Sequence, residues 1–85
     1  MPYQVVVPRR VQKQMLALPQ TVYDRVREHL AQLGQDPRPP GVRKLKGQAD
    51  TYRLRVGDYR IIYTIDDAAQ QVQVMTVEHR KDVYR

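Results

Sequence analysis

The sequence contains no cysteine, no phenylalanine and no tryptophan. Lack of cysteine removes disulfides and thiolate chemistry, and fits a cytoplasmic protein. No apolar run approaches the ~20 residues of a membrane-spanning helix. The start, Met1-Pro2-Tyr3-Gln4, has no signal-peptide core, so no membrane partner is expected. The two histidines, His29 and His79, are far apart and have no ligand pattern around them, which argues against a metal site. There is no nucleotide-binding glycine loop, no nucleophile elbow and no paired-carboxylate arrangement. No cofactor is expected. Acidic residues are scarce where basic ones gather. Between Pro37 and Arg60 the only acids are Asp50 and Asp58, against Arg38, Arg43, Lys44, Lys46, Arg53, Arg55 and Arg60.

What is present is a short basic chain. Its 85 residues make one domain, residues 1–85. A chain of this length buries only about 60–65% of its unfolded surface, so the core is thin and a deep pocket has little room. A hydrophobic content of 41% marks it as globular rather than disordered. Six tyrosines supply the aromatic area, each with a hydroxyl that suits a core margin, a base or a phosphate. Fifteen Lys and Arg against nine Asp and Glu give a net charge of +6. That excess favours a polyanionic partner, and it centres on the middle third of the chain.

The stretch Thr51 to Tyr63, TYRLRVGDYRIIY, organises the rest. It reads as two strands joined by Gly57-Asp58, a two-residue loop suited to a type II′ turn. That turn pairs Val56 with Tyr59, Arg55 with Arg60, Leu54 with Ile61, Arg53 with Ile62 and Tyr52 with Tyr63. Side chains alternate along a strand. One face then carries Tyr52, Leu54, Ile61 and Tyr63, a core face. The other carries Arg53, Arg55 and Arg60. Like charges directly across a strand pair are destabilising. Three arginines on one sheet face therefore point to a bound anion rather than to an ordinary solvated surface.

Elsewhere, Tyr3 to Val7 reads as a first strand and Arg9 to Leu18 as a short helix after Pro8. Val22, Val26, Leu30 and Leu33 form a helical stripe after Pro19, with Gly34 just past its end. Gln35 to Gly41 is a proline-rich connector. In Val42 to Gly47, Leu45 is the expected anchor while Arg43, Lys44 and Lys46 point outward, either as a solubilising loop or as a clamp on a nucleic-acid backbone. A turn at Asp66 to Gln71 precedes a strand over Val72 to Val77. Val77 breaks the alternation of Val72 and Val74, which a bulge near Met75-Thr76 reconciles. The order β-α-α-β-β-β predicts a two-layer α+β fold. In it, a helical hairpin packs on one face of a mostly antiparallel four-stranded sheet.

The groups on offer suit metal-independent cleavage of RNA. That reaction uses the substrate's 2′-hydroxyl as nucleophile. It needs a base, cations for the charged phosphorane and an acid for the leaving 5′-oxygen. Arginine supplies charge but does not deprotonate in proteins. His79 acts as acid or base near neutrality. Tyr84 does so only if neighbouring cations lower its pKa; otherwise it stacks on a base.

KLKG (Lys44–Gly47), YRLRVGDYRIIY (Tyr52–Tyr63) and VEHRKDVY (Val77–Tyr84) together make the chain resemble a toxin of the RelE/ParE superfamily, in its RelE-like branch. The resemblance runs from Tyr3 to Tyr84. It implies a type II toxin–antitoxin system and a toxin that cuts messenger RNA in the ribosomal A site, inhibiting translation, with ribosomal RNA as a further partner. It also implies an inhibitory RelB-like or other antitoxin. By position, Arg53 and Arg55 match two basic positions on the family's first hairpin strand, and Arg60 matches the phosphate-binding arginine of the second. Arg80 matches the arginine near the C-terminus, and Tyr84 the tyrosine that orients or stacks on substrate. Lys44 and Lys46 join the phosphate-binding set. The best-known RelE enzymes have lysines at the positions of Arg53 and Arg55, one of them the base, so His79 becomes the candidate base here. Two other readings stand beside this one. One is a ParE-like toxin that poisons DNA gyrase without cutting RNA. The other is a degenerate homologue that only binds its antitoxin.

Overall fold

Two prolines begin the helices. The computed structural model, which describes residues 2–47 and 49–79, has α1 at Arg9–Leu16 after Pro8 and α2 at Gln20–Gln35 after Pro19. Proline cannot donate a hydrogen bond, and its fixed φ leads the chain into a helix. Pro8 accepts from the backbone N–H groups of Val11 and Gln12, and Pro19 from that of Tyr23. The apolar stripes then face one way: Val11 and Met15 of α1, and Val26, Leu30 and Leu33 of α2, are buried.

Five strands form the sheet: β1 Gln4–Val6, β2 Arg43–Lys44, β3 Thr51–Val56, β4 Tyr59–Asp66 and β5 Gln71–His79. Their spatial order is β1-β5-β4-β3-β2, and only the β1–β5 pair is parallel. The expected sheet had four strands. The fifth, β2, is a two-residue edge in which Arg43 pairs with Arg53 and Lys44 with Tyr52. So short a pairing leaves no alternation to read in sequence.

The hairpin has the expected register, from Tyr52 opposite Tyr63 to Val56 opposite Tyr59. Gly57 sits at φ +60°, whereas Asp58 does not have a positive φ, as a type II′ turn requires. The bulge also lies where the valine pattern put it. Ile62 pairs with Thr76 and Tyr63 with Val74, leaving Met75 as the extra residue. One sheet face, with Tyr52, Leu54, Val56, Ile61, Tyr63, Ile65, Val72, Val74 and Val77, packs with the buried helix residues into one core.

Gly34 departs from expectation. It lies inside α2 rather than beyond it, and it is buried. Its carbonyl accepts from the Tyr3 N–H at 2.7 Å, and a Cβ at this position would stand 3.2 Å from the Tyr3 carbonyl oxygen. The missing side chain lets β1 come close to the helix backbone.

The proline-rich segment is tied down by polar contacts. Arg38 donates from Nη1 and Nη2 to the two Asp67 carboxylate oxygens at 3.2 and 2.9 Å, and from Nε to the Tyr52 hydroxyl at 3.1 Å. Its guanidinium carbon lies 5.3 Å from the Tyr52 ring centre, a cation–π arrangement. The Tyr3 hydroxyl donates to Asp67 at 2.6 Å, and the buried Tyr63 hydroxyl donates to the Pro37 carbonyl at 2.8 Å. Loop 36–41 is thereby joined to β3, β4 and the turn after β4.

Donation from Arg38, and then from Tyr3, holds the Asp67 carboxyl below the usual carboxylate range. A carboxyl depressed on folding adds stability above its unfolded pKa of about 4. That contribution is lost as pH falls through the lower folded value. We expect Asp67→Asn to flatten the acid limb of stability against pH, measured by urea unfolding. Both side chains are about half exposed, at 41% and 53%, so solvent keeps the effect small. Among the described residues, no helix is long and apolar enough to cross a membrane.

Candidate nucleic-acid interface

The helices cover one side of the sheet, so the side chains of the other side are left for solvent or a ligand. Register decides which they are. Arg55 lies opposite Arg60, and Arg60 lies opposite Glu78. Glu78, Arg60 and Arg55 therefore form one row across β5, β4 and β3. The next row is Thr76, Ile62, Arg53 and Arg43, across β5 to β2. Neighbouring strands are about 4.8 Å apart, so the groups of a row share one small patch.

Arg43, Arg53, Arg55 and Arg60, with Gly41, Gly57 and Tyr59, line a cleft of about 520 Å³. Arg55 is exposed and donates from Nε to the Gly57 carbonyl at 3.0 Å, which holds its guanidinium near the hairpin tip. Arg53 and Arg60 are half-buried. Arg38 and Asp67, which form an ion pair, do not line this cleft. Four guanidiniums on a concave surface have the chemistry to hold an oxyanion, since each presents a planar fork of donors that matches phosphate.

The other sequence candidates lie elsewhere. Lys44 pairs with Tyr52 and belongs to the opposite side of the sheet, whereas Lys46 is exposed in the turn after β2. Neither lines the cleft. His79 pairs with Tyr59, and the two rings meet edge to face with centres 4.9 Å apart. Alternation from Glu78 thus sends His79 to the face of Val77, across the sheet from Arg60, although its partner Tyr59 borders the cleft at the hairpin end. The physical reason is the length of β5. The strand runs on to His79 instead of ending at Val77, and alternation sends residues 78 and 79 to opposite faces. Arg80 and Tyr84 fall outside the described residues.

Sequence reasoning missed two residues of this face. By sequence Arg43 belongs with Lys44 and Lys46 of its loop, and only its pairing with Arg53 shows that it joins the arginines. Glu78 is the other, and no motif in the sequence marks it. Carrying the alternation one step beyond Val77 places it on the arginine side.

Several known proteins resemble the chain over nearly its whole length. The profile of the family described as "ParE toxin of type II toxin-antitoxin system, parDE" matches residues 5–84. Toxin RelG of Mycobacterium tuberculosis is 33% identical over 86 residues, covering 100% of this chain and 99% of that protein. The crystal structure of the archaeal RelE–RelB complex from Pyrococcus horikoshii OT3 superposes with a TM-score of 0.84 at 33% identity, over 94% of this chain and 97% of that one. A mutant of E. coli toxin RelE in the free state matches with a TM-score of 0.81 at 26% identity, over 96% and 87% of the two chains.

Proposed function

Because this chain belongs to the ParE toxin family of type II toxin–antitoxin systems and is RelE-like in sequence and fold, we propose that it is a ribosome-dependent mRNA endoribonuclease held in check by an antitoxin. The single observation that carries this reading is the cleft of Arg43, Arg53, Arg55 and Arg60 on the helix-free sheet face. A poison that acts only by occupying a protein surface has no need for four clustered guanidiniums. A phosphoryl-transfer site does, because charge accumulates on the phosphate oxygens in the transition state. The P. horikoshii relative is a complex with RelB. By analogy, the partner here is an antitoxin that covers the basic cleft with anionic groups.

In this mechanism the messenger RNA lies in the ribosomal A site with one phosphate in the cleft. Arg53, Arg55 and Arg60 grip its non-bridging oxygens. The 2′-oxygen of the preceding ribose attacks phosphorus, and the bond to the 5′-oxygen breaks. The products are a 2′,3′-cyclic phosphate and a 5′-hydroxyl end. No arginine is the base, since guanidinium keeps its proton. Arg80 and Tyr84 complete the set assigned by family position, as a further cation and a stacking or orienting ring.

A second reading is favoured by the family description itself, which names ParE. A ParE-like toxin would poison DNA gyrase. Two assays on the purified protein separate the readings: mapping of new mRNA 5′ ends on programmed ribosomes, and plasmid supercoiling by gyrase. We expect discrete cleavage in the first and undisturbed supercoiling in the second. Inhibited supercoiling with intact mRNA would reverse the assignment.

A further inference from the structure

We propose that Glu78, beside the arginine cleft on the strand next to Arg60, is the proton acceptor for 2′-hydroxyl attack on a phosphate held there, an inference that rests on the RNA-cleavage reading above. The reaction needs a base, and none of the four cleft arginines is one. His79 lies on the other side of the sheet, with its ring against Tyr59. Glu78 is directly opposite Arg60 and in one row with Arg60 and Arg55. It is half-buried and does not itself line the cleft, but its place beside Arg60 sets it next to a ligand that Arg60 would hold. Directly paired residues have Cβ atoms about 4.5–5.5 Å apart, a spacing that a phosphate and its flanking ribose bridge.

Two further observations favour this role over a plain charge partner. Glu78 makes no ion pair with Arg60. Its oxygens are thus not committed to the Arg60 guanidinium. A carboxylate beside a phosphate site also repels the ligand, which weakens binding unless the group serves the reaction. The other carboxylate on this face of β4, Asp66, is at the far end of the strand, about 20 Å from Arg60.

The step balances without a cofactor. As the 2′-oxygen attacks phosphorus, its proton passes to a Glu78 carboxylate oxygen. The P–O5′ bond breaks, and its electron pair leaves on the 5′-oxygen, which takes a proton from water. Glu78 then releases its proton to solvent, so no net oxidant, reductant or co-reactant is consumed.

The test compares the full chain with Glu78→Gln, Glu78→Asp and Arg60→Ala on ribosomes carrying a defined mRNA. Single-turnover cleavage and ribosome association are measured separately. We expect Glu78→Gln to slow cleavage by at least about a hundredfold, within the range for loss of a general base, with association unchanged. Glu78→Asp should recover part of the rate, since the carboxylate is kept at shorter reach. Cleavage by Glu78→Gln at the parent rate, with Arg60→Ala slow, overturns this inference and leaves the RNA-cleavage reading standing. Parallel loss of cleavage and association in Glu78→Gln also overturns it, because a positioning role would then suffice. Absence of cleavage by the parent chain overturns both.

Discussion

Arg60→Ala is expected to lower single-turnover mRNA cleavage on ribosomes by about 10²–10³-fold, the usual loss for one group that stabilises transition-state charge. The effect is large because Arg60 occupies the middle of its row, with Arg55 on one side and Glu78 on the other. Folding should not suffer. Arg60 and Arg55 are like charges in direct cross-strand contact, and such pairs cost about 0.2–1 kcal/mol. The variant should therefore unfold at the same or a slightly higher urea concentration. Loss of activity with undiminished stability separates a functional arginine from a structural one. A variant that cleaves as fast as the parent would remove Arg60 from the reaction.

Ile61→Ala is expected to have the opposite profile, a loss of about 2–5 kcal/mol of stability, the range for truncating a fully buried branched side chain. Ile61 has no exposed surface, and it sits on β4 between Leu54 of β3 and Val77 of β5. An 85-residue domain has on the order of 4–13 kcal/mol in total. One methyl-rich cavity therefore takes a large part of the margin. Ile61 neighbours Arg60 in the chain but faces the other way, so the pair tests the division of labour between the two sheet faces. Urea unfolding of both variants measures it. A loss below about 1 kcal/mol for Ile61→Ala would mean that the core closes over the gap.

These two residues also show what could be read in advance. The hairpin register follows from Gly57-Asp58, because a two-residue loop leaves one pairing and alternation does the rest. The sides of Arg53, Arg55, Arg60 and Ile61 were legible for that reason. The bulge at Met75 was legible from Val72, Val74 and Val77, since buried valines must return to the core face. Less visible was anything set by a distant partner. Gly34 looks like a helix stop by composition, yet the helix continues through it to receive β1. Arg38 looks like one more basic loop residue. Its bonds to Asp67 and Tyr52 make it a tie between the loop and the sheet.

The sequence by itself determined the charge excess, the order of every element except β2, the tight turn and the face that each hairpin arginine takes. All of these rest on local geometry: the period of a strand, the φ of glycine and proline, and the spacing of apolar residues. The tertiary structure decided where strands end and which edges pair. Arg43 enters the cleft only because two residues of a loop hydrogen-bond to β3. Glu78 and His79 are parted only because β4 is long enough to carry β5 to residue 79. A strand's limit is set by the partner it finds across the sheet, and that partner is not encoded in the strand's own residues.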